Sequence, residues 1–206
     1  MDKNESSSVA QKPWALWAAL TMLGLGTVAV LYVLFAGASK PEPTTGLSRF
    51  ATGELAHLAM LEAPPPLPTR AIQDAHGAET ALTANTGEVL VVNLWATWCA
   101  PCMEEMPTLG ALQRRYEGRM RVIPVSVDSE AHREEARSEL TRLTNGALPF
   151  YIDITRGVLF DVQAPGMPVT IIYDRSGHEV ARLAGGADWG GDDAAHLIDA
   201  VLADNP

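Results

Sequence analysis

Hydrophobic positions divide the chain into one long uncharged run, a proline-rich connector and a series of shorter apolar segments with alternating periods. From Pro13 to Ser39 no side chain is charged, and Trp14 to Ala36 is mostly apolar. As a helix that run is about 35 Å long, enough to span a ~30 Å hydrocarbon core with some tilt. Trp14 and Trp17 at one end and Tyr32 and Phe35 near the other sit where interfacial aromatics belong. A transmembrane anchor is therefore predicted over residues 13–39, after a polar tail at residues 1–12. Ala36-Gly37-Ala38 also resembles a signal-peptide cleavage site. The apolar run is longer than the roughly 7–15 residues of a signal core, which favours a retained anchor.

Residues 40–65 read as a linker. Thr52 to Leu61 is predicted as a short amphipathic helix with Leu55, Leu58, Ala59 and Leu61 on one side, and His57 as a surface or packing residue. Ala63-Pro64-Pro65-Pro66-Leu67-Pro68 is an extended polyproline spacer. The domain then occupies residues 66–206. Ala71–Ala75 reads as a strand, with a turn at Asp74–Gly77, and Asn85–Gly87 as a second turn. Val89–Trp95 is a β-branched, apolar strand buried on both faces. Cys99–Tyr116 is a long helix interrupted at Pro107, and Met120–Val127 a second buried strand. Asp128-Ser129 is expected to cap a charged, solvated helix from Glu130 to about Leu143, which Asn145-Gly146 stops. Pro149–Ile154 is extended, Val158–Val162 a helical turn, and a strand runs through Tyr173. A hairpin turn at Arg175–His178 leads to an antiparallel strand at Glu179–Leu183, and a helix at Asp192–Leu202 ends the chain. Such alternation predicts an α/β fold, a central mixed β-sheet flanked by helices.

The net charge of the 206 residues is −10. Residues 1–40 carry Lys3, Lys12 and Lys40 against Asp2 and Glu5, a net +1. The remaining 12 arginines against 23 acids leave −11, with no lysine. So acidic a domain argues against nucleic-acid binding, which leaves a basic footprint.

Cys99 and Cys102 are the only cysteines. A strand that feeds a helix through Cys-x-x-Cys places the first sulfur at the helix N-terminus. Unpaired N–H groups and the helix dipole there favour a thiolate. The second cysteine is one turn further in, close enough for a disulfide. The pair is either a redox couple or two ligands of an incomplete metal site. The five histidines are scattered, with no spacing suited to a metal.

Trp98-Cys99-Ala100-Pro101-Cys102 resembles the active-site motif of the thioredoxin superfamily. The longer string Asn93-Leu94-Trp95-Ala96-Thr97-Trp98-Cys99, followed by Glu104-Glu105-Met106-Pro107, resembles the membrane-anchored TlpA/ResA branch. Leu183-Ala184-Gly185-Gly186-Ala187-Asp188-Trp189 leans toward TlpA. The resemblance implies a thioredoxin-like fold and a redox-active disulfide Cys99–Cys102. Cys99 would be the nucleophile, Cys102 the resolving thiol, and Pro101 would fix the geometry between them. It also implies that Met167-Pro168 is the cis-proline facing the motif. Trp98 flanks the site; Trp95 reads as core. Glu105, three residues after Cys102, is a candidate acid–base group by helical spacing, against the alternative of a solvated carboxylate such as Glu104. Two positions depart from the pattern. Asn93 stands where many thioredoxins have a buried acid, and Met103 where relatives often have a basic residue.

The resemblance further implies an N-in, single-pass inner-membrane protein with its catalytic domain in the periplasm, acting as a protein-disulfide reductase. The expected substrates are cysteine pairs in partners that assemble cytochrome c or the copper centre of cytochrome oxidase. An integral membrane electron donor would restore the dithiol, and no dissociable cofactor is needed. A disulfide-forming oxidase and a copper- or zinc-binding CxxC chaperone are the competing readings.

Overall fold

The computed structural model describes Met22, Leu25, Gly26 and residues 46–82 and 87–203. The chain divides into two units, Met1–Pro43 and Thr44–Pro206. In the first, the three described residues are helical. The rest of the expected anchor, and the tail before it, lie outside the described residues. Among the described residues no helix is long and apolar enough to cross a membrane.

The second unit is built around β4 (Val89–Trp95), all seven residues of which are buried. Its uninterrupted apolar run suits a strand covered on both faces. β4 pairs in parallel with β5 (Met120–Ser126) and antiparallel with β7 (Val169–Tyr173). With β1 (Leu58–Ala59), β2 (Ala71–Asp74), β3 (Glu79–Ala81), β6 (Tyr151–Ile152) and β8 (Glu179–Ala184), the described strands form one mixed sheet of order β1-β8-β7-β4-β5-β6-β2-β3. The flanking helices are α1 (Ala100–Arg115), α2 (Arg133–Thr144), α3 (Gly157–Asp161) and α4 (Asp192–Ala203). Gly110 in α1 lets the two longer internal helices meet closely, since a Cβ there would stand 3.1 Å from Thr144 Cβ. α2 ends as the sequence predicts, with Asn145 left-handed at φ 53° and Gly146 N donating to Thr141 O.

Two expectations are corrected and one strand is new. The amphipathic helix over Thr52–Leu61 does not form. In its place are 3-10 turns at Leu47–Phe50 and Gly53–Leu55 and the short strand β1, whose Leu58 pairs with Leu183 of β8. Leu55 and Leu58 do face the core, but edge pairing with β8 satisfies the backbone better than one isolated helical turn can. β3 was not expected from its polar sequence; it pairs antiparallel with β2 at the opposite edge of the sheet. Asp128 caps no helix: a 3-10 turn at Glu130–His132 precedes α2, and the carboxylate is used elsewhere.

Because β1 and β2 lie near opposite edges, residues 60–70 have to cross the sheet. Six strand spacings amount to about 29 Å, and eleven extended residues reach roughly 34 Å at the polyproline rise. The proline-rich segment is thus a strap inside the unit. Arg70 fastens its end through a two-point ion pair with Asp161 of α3, at 2.7 and 2.9 Å.

Candidate active site

β4 ends at Trp95, and four residues later Cys99 occupies the N-cap of α1 with extended backbone (φ −98°, ψ 98°). Its carbonyl accepts from Met103 N at 3.1 Å, which starts the helix. No side chain caps this end, and Pro101 in the first turn lacks an N–H of its own. The N–H groups at this terminus are therefore left without a side-chain acceptor next to Cys99. Cys99 and Cys102 form a disulfide with Cα atoms 5.3 Å apart. Cys99 is 7% exposed and Cys102 not at all, the order expected of attacking and resolving thiols.

The approach to the disulfide is shaped by residues from three other segments. The Met167–Pro168 peptide bond is cis. Pro168 O accepts from Gly185 N at 2.9 Å, and at the next residue a Cβ on Gly186 would stand 3.3 Å from Pro101 O. That chain of contacts brings the cis-proline loop alongside the motif. Trp98 is 62% exposed, whereas Trp95 is fully buried in the core. The loop between them is held by Asp128, which sequence reasoning assigned elsewhere. Thr97 N and Thr97 Oγ1 donate to its two carboxylate oxygens at 3.0 and 2.8 Å, and Ser126 Oγ donates to it at 2.9 Å.

Glu105 is not a solvated carboxylate. It is 2% exposed, while its neighbour Glu104 faces water. Asn93 Nδ2 donates to Oε1 at 2.7 Å, and Ala187 N and Trp189 Nε1 both donate to Oε2 at 3.2 Å. Burial outweighs these bonds and pushes the carboxyl up to about 7. Asn93 thus stands where a second acid would have faced Glu105, and it offers a neutral donor instead. A cavity of about 340 Å³ bordered by Pro101, Gly186, Glu104 and Asp188 reaches Glu105. A group that titrates near neutrality, one helical turn from the resolving cysteine, can either give or take a proton at pH 7. The Leu183–Trp189 stretch acquires a definite role here, because two of the three donors to Glu105 come from it.

Among the described residues, no group of three or more His, Cys, Asp or Glu side chains is arranged to hold a metal. Arg156, which sequence reasoning passed over, also reaches the site's edge: its guanidinium carbon lies 5.9 Å from the centre of the Trp98 ring.

A mixed sheet flanked by helices, with a Cys-x-x-Cys disulfide at a helix N-terminus beside a cis-proline, defines a thioredoxin-like redox protein. The chain belongs to the redoxin family, whose model matches residues 63–197. Among curated relatives it is 29% identical over 110 residues to the thioredoxin-like protein YneN of Bacillus subtilis (strain 168), covering 53% of this chain and 64% of that one. It is 30% identical over 131 residues to the thiol-disulfide oxidoreductase ResA of Geobacillus kaustophilus (strain HTA426), covering 63% of this chain and 73% of that one. The chain thus spans a little under two thirds of YneN's length. The fold is shared with a secreted thiol-disulfide isomerase from Corynebacterium glutamicum, at a TM-score of 0.58 and 20% identity over 71% of this chain and 90% of that one.

Proposed function

We propose that this protein is a membrane-anchored thiol–disulfide oxidoreductase of the periplasm, working as a reductase. The observation that carries the activity is the Cys99–Cys102 disulfide at the N-terminus of α1, with Glu105 buried one turn beyond it. In the reduced protein, the Cys99 thiolate attacks one sulfur of a partner's disulfide and the other sulfur leaves as a thiolate. Cys102, its proton taken up by Glu105 or water, then attacks Cys99 of the mixed disulfide. The partner departs as a dithiol and two electrons have passed to it.

Kinship with proteins named thiol-disulfide oxidoreductase supports the chemistry. The uncharged run at residues 13–39 supports the anchor. The likeness of Asn93–Pro107 to the TlpA/ResA branch supports partners in cytochrome c or copper-centre assembly, and an integral membrane protein as electron donor. The test is the reduction potential of the Cys99–Cys102 couple, equilibrated in thiol–disulfide buffers. A value near the thioredoxin end, about −270 mV, fits a reductase; one near about −120 mV would make the protein a disulfide donor and overturn the assigned direction.

A further inference from the structure

Arg156 is a cation beside Trp98, the residue that precedes Cys99, and its position is fixed by several independent constraints. Arg156 precedes α3 and adopts a left-handed backbone (φ 59°, ψ 11°), uncommon for a residue with a side chain. Its neighbours hold it there. Arg156 N donates to Asp153 O at 3.0 Å, and the buried Asp153 carboxylate accepts from Thr155 N and Thr155 Oγ1 on one oxygen and from Val158 N on the other. The side chain is pinned as well: Nε donates to Val127 O at 3.0 Å, which turns the guanidinium onto the face of Trp98. Trp98 is the residue immediately before Cys99 and is mostly exposed. Both Trp98 and Arg156 are exposed, so an incoming partner meets a cation stacked on an aromatic ring next to the attacking sulfur. Around Pro101 the exposed charges nearby, Glu104 and Asp188, are acidic. The domain as a whole is acidic too, so beside Trp98 it is Arg156 that offers a partner's carboxylate an attractive charge.

We propose that Arg156 is a specificity-determining residue, selecting partner segments that carry a carboxylate beside the cysteine attacked by Cys99. This rests on the oxidoreductase reading above. A planar guanidinium held on an aromatic face presents its remaining N–H groups as a preoriented fork for a carboxylate. A pinned side chain also loses less rotamer freedom on binding than a loose lysine would. A charge at the rim of an interface acts mainly through encounter and orientation, so the preference should weaken as salt rises.

The experiment uses the full-length protein in mild detergent, pre-reduced and freed of reductant. Single turnovers are followed with three disulfide-bonded peptides that differ only in having Asp, Asn or Lys next to the reacting cysteine. Each turnover oxidises Cys99 and Cys102 to the disulfide and reduces the peptide disulfide to two thiols, so no further reductant is needed. The expected result is an Asp-over-Asn rate ratio of about three at low salt, in the range of a rim ion pair. The ratio should fall to near one in Arg156→Ala and survive in Arg156→Lys. An unchanged ratio in Arg156→Ala overturns the proposal. That includes the case where all three peptides slow equally, since Arg156 would then be acting on the Cys99 thiolate. Failure of the wild-type protein to reduce any peptide would refute the oxidoreductase reading itself, and the proposal with it.

Discussion

Asn93 and Glu105 meet amide to carboxylate at 2.7 Å, a strand residue against a helix residue, and neither is exposed to any useful extent. The same amide nitrogen also donates to Thr170 Oγ1 at 2.9 Å, so its pull on the carboxylate is shared. A neutral, divided donor stabilises the anion less than burial destabilises it, and the carboxyl titrates near neutrality as a result.

This has a consequence for stability. The unfolded value is near 4.5 and the folded value about 7, so between those pH values the folded chain holds a proton that the unfolded chain has released. Stability therefore falls as pH rises through that window and levels off above it, by about 3 kcal/mol for a shift of this size. Glu105→Gln stays neutral at every pH. Urea unfolding of the oxidised protein at about pH 5 and about pH 8 should show the wild type losing roughly 3 kcal/mol relative to this variant. Parallel behaviour of the two proteins would contradict a buried, proton-holding Glu105.

Asn93→Asp would set two carboxyl groups against each other in the same buried space. They cannot both ionise cheaply, and the pair would titrate as a unit. At about pH 8 the variant should lose roughly 3 kcal/mol, and much less at about pH 5, where one proton can be shared. A loss independent of pH would show that the contact opens to water.

Asp128 ties the Thr97–Cys99 loop to the end of β5 through three hydrogen bonds. In Asp128→Asn one oxygen becomes an amide nitrogen, so at least one donor is stranded, at a cost of about 1–3 kcal/mol. A double-mutant cycle with Thr97→Ala, read by urea unfolding, should give a coupling of roughly 1 kcal/mol or more. A coupling near zero would mean that the loop is held by other contacts.

Arg182 and Glu179 form an ion pair on β8 in which both side chains are almost wholly buried, and Arg182 Nη1 also donates to Val162 O at the end of α3. Arg182→Met leaves a buried carboxylate without its partner and should cost about 3–5 kcal/mol. The double variant with Glu179→Leu should recover most of that in thermal or urea unfolding, because replacing a buried pair by apolar side chains is often close to neutral. If the double variant is as weak as the single one, the bond to Val162 O is the part that matters.

What could be read from the chain follows the range over which each feature is decided. β4, the cysteine pair and the start of α1 are local: an apolar run, a spacing and a proline suffice. The hairpin at Arg175–His178 is also local, and it formed as expected, with Gly177 N donating to Asp174 O. The segment from Thr52 to Leu61 went the other way because its apolar positions fit a helical period, while its actual partner, β8, lies at the far end of the chain. Burial of Glu105 was equally invisible, since its donors come from Asn93, Ala187 and Trp189. Arg156 left no signal at all: its place on Trp98 depends on a left-handed turn and on the carbonyl of Val127.

The pairing of Leu58 with Leu183 bears on how the molecule comes to exist. Chains are made from the N-terminus, so β1 appears well before its partner strand. Until β8 arrives, residues 46–70 have no sheet edge to join, and the strap that crosses the domain stays slack. The disulfide site and the parallel core around β4 and β5 can assemble in the meantime. Pairing of β1 is thus a closing step that waits for β8, in which the later-made hairpin captures the earlier-made edge.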